Sequence, residues 1–520
     1  MRLTVLLCLF SLFASVSAFA LTEPVTVEGG RVSGVNTALA GVRAYKGIPY
    51  AAPPVGPLRW RPPQPVRPWN GIKDCSQFGA ACPQPDSPLR DTPANQSEDC
   101  LTLNVWTAAH AADEKRPVMV WIHGGANVMG ASSKPLYDGA QFASNGVVLV
   151  SINYRLGVFG YLASPLLNAD SPRHVSGNYG ILDQIAALRW VRRNIGRFGG
   201  DPANVTIFGE SAGAVNVGIL LVSPLSKGLF ERAIMESGTP VAVQDHLTGT
   251  DPASLTGTQL FKALNATTVE EARARSSKEL LDAIKVKMGP LSPGTMIGPV
   301  VDGWVIPDDP MKMLQKGRFH HVPVMLGTNA NEGSLFTRTL PAGTPESYDT
   351  LIRRLYGAEA PDVLRLFPPG TTKTSTREAE DKLLTVAAFA APARRVARDI
   401  GAVEPATYLY QFTRVSVLLR LLSMGATHGS EIPYVFNSIP QRFSRARLDY
   451  ELGREMQAYW VQFAKTGDPN GAGRPKWPRY TAAGDAHLEF GDTVQVGHHL
   501  DQAACDLFDR IKPAHLPGRE

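Results

Sequence analysis

The chain has 520 residues, 44% of them hydrophobic and 19% charged, with a formal net charge of +5 at neutral pH. This is ordinary globular composition, with length enough for a large core that an α/β enzyme can form as one unit. The small charge excess, with no basic block and no basic–aromatic stripe, argues against nucleic acid as a partner.

The first element is MRLTVLLCLFSLFASVSAFA, with Arg2 at its start, an apolar run to Ala14, and small residues at Ala18 and Ala20. This pattern predicts a secretory signal peptide over residues 1–20, cleaved after Ala20. The run is short for a bilayer span, which needs about 20 apolar residues, so no stable membrane anchor is expected. The mature chain is then secreted or periplasmic, in an oxidising compartment where disulfides persist. Beyond the leader stand Cys75, Cys82, Cys100 and Cys505, which spacing alone cannot pair.

VTVEGGRVSGV alternates and is punctuated by glycine, which predicts a small edge hairpin. Residues 49–93 are rich in proline and read as a long irregular surface stretch. Residues 116–123 (RPVMVWIH) and 146–155 (GVVLVSINYR) are apolar runs that fit buried strands of a mostly parallel sheet. Residues 180–195 carry Ile181, Ile185, Leu188 and Val191 at helical spacing. NVTIFGES reads as another buried strand, and AGAVNVGILLV as the helix after it. VPVMLGTN (322–329) and ATYLYQFT (406–413) give two further strands. Strands alternating with helices imply an α/β fold with a mostly parallel central sheet flanked by helices. Residues 243–320 and 333–400 read as polar helical insertions covering one face. No linker divides the chain, so residues 21–520 are expected to form a single domain.

FGESAG, residues 208–213, follows a strand and precedes a helix, and fits the pattern G-x-S-x-G. Flanking glycines permit a sharp turn that lifts Ser211 over the sheet edge, and the N–H of Ala212 can donate to an oxyanion. A nucleophilic serine needs a base and an orienting acid, which follow in the order serine, acid, histidine in this type of fold. Glu332 stands just after a strand, with Asp302 and Glu431 as rivals. His428 lies in the glycine-flanked loop MGATHGSE; His123, His174, His320–His321 and His498–His499 are its rivals. The paired histidines have no carboxylate or thiolate at ligand spacing, so they read as surface groups, and no metal or cofactor is expected. WIHGGANVMG, residues 121–130, puts small residues after a strand, where backbone N–H groups can face a developing negative charge. The third small residue there is Ala126 rather than glycine; it suits the purpose if its φ is negative.

Together these segments carry a resemblance. YKGIPYAAPPVGPLRWRPPQP, SEDCLTLNVW, NYRLGVFGYL, GNYGILDQIAALRWVRRNIGRFGGDPANVTIFGESAGA and VDGWVIPDDP resemble the type-B carboxylesterase family, which includes cholinesterases and bacterial p-nitrobenzyl esterases. The likeness runs from about Val25 to Leu507. It implies an α/β-hydrolase fold with helical insertions over an active-site gorge, and a serine carboxylesterase acting on small-molecule esters through an acyl-enzyme. It also implies a triad of Ser211, Glu332 and His428, and an oxyanion hole from the N–H groups of Gly125, Ala126 and Ala212. Glu210 and Ser237 match positions beside that triad.

The resemblance further implies a Cys82–Cys100 disulfide, worth about 3 kcal/mol in the chain-entropy account, and ion pairs Arg59–Glu98 and Arg155–Asp183. Cys505 lacks its usual partner, which leaves a Cys75–Cys505 bridge or two free thiols. The same triad serves carbamates, amides and thioesters, and a catalytically silent binding homologue is the remaining alternative; silent relatives typically lose the serine, which this chain keeps.

Two departures stand out. The segment PQPDSPLRDTPANQSED has no aromatic residue to receive a quaternary ammonium, so choline esters are not expected substrates. Asn127 stands where relatives commonly carry an aromatic or apolar residue. It either satisfies its own loop or places a polar group beside the pocket, where it would favour oxygen-bearing substrates.

Overall fold

Within residues 116–122, Val118, Val120 and Ile122 pack into one apolar cluster while Met119 and Trp121 pack into another. That alternation is the period of a strand buried on both faces. The computed structural model describes residues 23–87, 91–241, 243–245, 252–287, 291, 294–338, 343–439 and 447–511; the expected leader lies outside them. Eleven strands form one sheet. They are β1 (Val35–Asn36), β2 (Arg43–Pro49), β3 (Thr102–Thr107), β4 (Arg116–Ile122), β5 (Val148–Ile152), β6 (Gly200–Glu210), β7 (Arg232–Glu236), β8 (Val324–Asn329), β9 (Thr407–Phe412), β10 (Ala486–Phe490) and β11 (Val494–His498). Their order is β11-β10-β9-β8-β7-β6-β4-β5-β3-β2-β1. From β5 to β10 the pairings are parallel; at both ends they are antiparallel.

Helices α1 (Tyr179–Asn194), α2 (Ala212–Val222) and α3 (Ala391–Gly401) cover one face of the sheet, through Trp190, Val217, Leu220 and Val396. Helix α4 (Arg447–Thr466) covers the other with Met456, Tyr459, Trp460 and Phe463. Among the described residues the insertions carry helices as expected, with capping boxes at Thr268/Glu271 and Ser276/Glu279 fixing two helix starts, but the first also holds a short parallel pairing of Gln244–Asp245 with Val300–Val301. Part of the second one turns inward, because α3 packs on β8 and β9. The expected hairpin pairs Val25–Val27 with Gly30–Ser33. It lies in a separate three-stranded sheet completed by Ile72–Asp74, so the proline-rich stretch is not wholly irregular.

Cys82 and Cys100 form a disulfide. Cys75 and Cys505 are free and buried, in two different apolar clusters, so they do not form a bridge. Arg59 donates to Glu98 at 2.7 Å and to the carbonyls of Arg273 and Arg275, tying an insertion to the body of the chain.

Arg155, in the loop after β5, is held by Asp183 of α1 through two side-chain bonds of 2.8 and 2.7 Å and a backbone bond of 3.1 Å. Both side chains are almost fully buried. Removing one member of such a pair leaves a bare buried charge. We expect Asp183→Asn to lower unfolding free energy by about 3–5 kcal/mol, read by urea denaturation. A loss below about 1 kcal/mol, the worth of an exposed pair, would contradict this view of the bridge.

Candidate active site

The loops that follow β4, β6, β7, β8 and β9 emerge at one carboxyl-terminal edge of the sheet, where open α/β sheets bind their ligands. They carry residues 124–130, Ser211, Ser237, Glu332 and His428 respectively.

Ser211 joins β6 to α2 with φ 58° and ψ −123°. A side-chain-bearing residue holds such a backbone only when its surroundings over-determine it. Its N–H donates to the Glu236 carbonyl at 2.8 Å. Gly213 allows α2 to close on β4: a Cβ there would lie 2.0 Å from the Ile122 carbonyl oxygen. As the first residue of α2, Ala212 has an N–H with no acceptor in its own helix.

Glu332 is fully buried. Its Oε1 accepts the Asn329 N–H at 2.7 Å, and its Oε2 lies 2.6 Å from His428 Nδ1. This bond places the proton on Nδ1 and leaves Nε2 as the free ring nitrogen. His428 Nε2 has no hydrogen-bond partner among the described residues, although Glu210 Oε1 stands 3.2 Å away. Ser211 Oγ likewise makes no hydrogen bond among them. Phe336 and Phe389 flank the imidazole with ring centroids 5.1 and 5.0 Å from it.

Three more buried glutamates lie close by, Glu210 and Glu431 beside His428 and Glu236 beside Glu431. Glu431 Oε1 accepts the Ser237 hydroxyl at 3.1 Å, and its Oε2 accepts Asn329 Nδ2. Glu236 Oε1 accepts the Trp460 indole N–H at 2.7 Å. Burial pushes the Glu210 carboxyl up, opposed by His428 and reinforced by Glu332. Burial and the neighbouring Glu210 and Glu332 push Glu431 up, and burial with Glu431 does the same to Glu236. For His428, burial works against the charged form, but Glu210 and Glu332 outweigh it and hold the imidazole above its ordinary value.

The loop after β4 runs close to the serine: a Cβ on Gly124 would lie 3.1 Å from Ser211 Cβ. Gly125 has φ 112°, Ala126 φ 55° and Asn127 φ 60°. The condition set for Ala126, a negative φ, is therefore not met: alanine takes the turn with left-handed backbone. The loop must turn back at once so that Val128 and Met129 can both donate to the Gly125 carbonyl, at 3.0 Å each. That reversal needs left-handed backbone at Ala126, at a cost of about 1–2 kcal/mol for a residue with a Cβ. The N–H groups of Gly125 and Ala126 donate to no acceptor among the described residues. The loop is clamped further on, where Gly130 exchanges two hydrogen bonds with the Gln84 amide. The Asn127 side chain turns into the protein: its Oδ1 accepts Asn216 Nδ2 at 2.8 Å and the Tyr161 hydroxyl at 3.2 Å.

The rival residues are placed elsewhere or differently. Asp302 caps its own turn, accepting the N–H groups of Trp304, Val305 and Ile306. His123 is buried and stacked on Tyr154, and burial pushes it down to about 4, so it stays neutral. His320, His321 and His498 bond to backbone carbonyls away from the site. Sequence reasoning missed Asn216, Tyr161, Glu236 and Phe389. Asn216 left a signal, as the single amide in the otherwise apolar helix AGAVNVGILLV.

A mostly parallel sheet with helices on both faces, and a serine on a strained strand-to-helix turn at its carboxyl edge, define an α/β-hydrolase-fold enzyme. The model of the carboxylesterase family matches residues 22–508. The chain belongs to that family and is a carboxylic ester hydrolase. It is 36% identical over 490 residues to fumonisin B1 esterase of Sphingopyxis macrogoltabida, covering 91% of this chain and 87% of that protein. It is 36% identical over 472 residues to para-nitrobenzyl esterase of Bacillus subtilis, covering 88% and 92%. Human cocaine esterase is also 36% identical, over 541 residues, covering 95% of this chain and 92% of that protein. A solved PNB esterase structure superposes with a TM-score of 0.79 at 33% identity, covering 93% of this chain and 99% of that one.

The charge of Glu210 raises the His428 pKa, so its removal should lower it. Activity that needs neutral His428 rises as pH passes that pKa. We expect the acid limb of the kcat/KM profile to move to lower pH in Glu210→Gln. A limb that stays in place, or moves to higher pH, would contradict the assigned coupling.

Proposed function

We propose that this enzyme is an exported serine esterase in which Ser211 is the nucleophile, His428 the base and Glu332 the acid that orients it. The observation that carries the reading is the 2.6 Å bond from His428 Nδ1 to Glu332 Oε2, which leaves Nε2 free on the same sheet edge as the strained Ser211. His428 takes the Ser211 proton as Oγ attacks the ester carbonyl, and Glu332 fixes the tautomer and stabilises the imidazolium. The N–H groups of Gly125, Ala126 and Ala212 receive the oxyanion. His428 then protonates the leaving alcohol, and a water molecule repeats the sequence on the acyl-enzyme.

Glu210 and Ser237 act around this triad, Glu210 through its charge beside Nε2 and Ser237 by orienting Glu431. The N-terminal pattern of residues 1–20 supports export and cleavage after Ala20, leaving residues 21–520 as one catalytic domain. The Cys82–Cys100 disulfide is compatible with an oxidising compartment. Among the described residues no helix is long and apolar enough to cross a membrane.

The substrates are small organic esters. Three relatives are named for fumonisin B1, cocaine and a p-nitrobenzyl compound, a precedent for small-molecule ester substrates. Retention of Ser211, Glu332 and His428 weighs against a silent binding role. Matched ester and amide substrates should show a strong preference for the ester, and comparable rates would favour an amidase.

Ser211→Ala should lower kcat on p-nitrophenyl butyrate by about a thousandfold or more, since a triad without its nucleophile retains only binding and oxyanion stabilisation. A folded variant within about tenfold of the parent would overturn the assignment.

A further inference from the structure

The three donors assigned to the oxyanion come from two separate pieces of chain. Gly125 and Ala126 lie in the loop after β4, and Ala212 opens α2. Their mutual spacing depends on how the loop is fixed to the helix. Other bonds fix each piece to its own neighbours: the Ser211 N–H to the Glu236 carbonyl, the Gly130 N–H to the Gln84 side-chain oxygen, and the Gly157 N–H to the Asn127 carbonyl at 2.7 Å. The side-chain bond that joins loop and helix directly is Asn216 Nδ2 to Asn127 Oδ1, at 2.8 Å. Tyr161 donates to the same oxygen. Asn216 lies one helical turn beyond Ala212, on the helix whose first N–H is one of the three donors.

Asn127, Asn216 and Tyr161 are all buried, at 4%, 0% and 2% exposure, so the bonds face no competition from bulk water. Asn127 itself has a left-handed backbone, a conformation that asparagine tolerates better than other residues with a side chain. We propose that Asn127 and Asn216 form a latch that sets the oxyanion hole, as positioning residues for the Ser211 chemistry on which this inference rests. The latch holds Ala126 in its left-handed turn and keeps the two loop donors in register with the Ala212 N–H. An aromatic or apolar residue at position 127 could not make this bond. The Asn127 side-chain oxygen is committed to the protein, so it does not sort substrates by their polarity.

The test uses Asn127→Leu, Asn216→Leu and the double variant in the full-length enzyme. Steady-state kinetics on p-nitrophenyl butyrate are read beside inhibition by an aryl trifluoromethyl ketone, whose tetrahedral adduct carries an oxyanion. Each single variant should lower kcat by about tenfold or more with KM within about twofold, because the hole acts on the transition state. Ketone affinity should fall by a similar factor, and the double variant should lose no more than about the larger single effect. A merely structural role would lower the melting temperature without separating kcat from KM. Unchanged kcat, a loss confined to KM, or multiplying losses in the double variant would overturn the latch. Should a leucine variant fail to fold, Asn127→Ser and Asn216→Ser carry the same test. A parent enzyme that the ketone does not inhibit would count against the serine reading, whereas an inhibited parent with unaffected variants would count against the latch alone.

Discussion

The turn at Ser211 is the constraint on which the rest of the site depends. Its backbone is unfavourable for a residue with a side chain, and it persists because packing on every side fixes it. Gly213 lets α2 press against the end of β4, the Ser211 N–H is taken by the Glu236 carbonyl of β7, and Gly124 brings the next loop to within contact of the serine. The parallel sheet supplies the foundation. β4, β6 and β7 are its central strands, so the turn grows from the middle of the sheet, and the residues proposed to act with it follow β8 and β9.

Electrostatics sets the second layer. The site buries Glu210, Glu332 and Glu431 around one imidazole, with Glu236 beside Glu431 and Glu210. Isolated carboxylates would be costly there. Three of them are shifted toward their neutral forms, and His428 is shifted toward its charged form. In the proposed mechanism this field favours the imidazolium that forms as the serine attacks. Trp460, Asn329 and Ser237 occupy particular carboxylate oxygens, which holds the glutamates apart.

Much of this was legible in the sequence. The central strands are apolar runs, and α2 spans Ala212–Val222, the segment read as a helix. Ser211 could be located because its motif encodes a local turn. Proposing Glu332 and His428 as its partners needed chain order and family likeness, since a lone acid and a lone histidine in loops look like many others. Strands β1, β2, β3, β7, β10 and β11 were not read as strands; β7 is a short run broken by charges at both ends, and β11 faces solvent and carries no apolar run. The conformation of Ala126 was not legible, because alanine's local preference points to negative φ and the surrounding hydrogen bonds decide otherwise. The pairing of Asn127 with Asn216 was invisible for a different reason: two amides 89 residues apart carry no mark of their contact until the fold joins them.

The central claim is that Ser211, and no other residue, becomes covalently modified during turnover. The most direct measurement is intact-mass and peptide-mapping analysis of the parent enzyme after treatment with diethyl p-nitrophenyl phosphate, an ester mimic that stalls at the phosphoryl-enzyme. The account predicts one diethylphosphoryl group per chain, located on Ser211, with activity lost in step with its appearance. A modified enzyme labelled elsewhere, or an inactivated enzyme with Ser211 free, would contradict it.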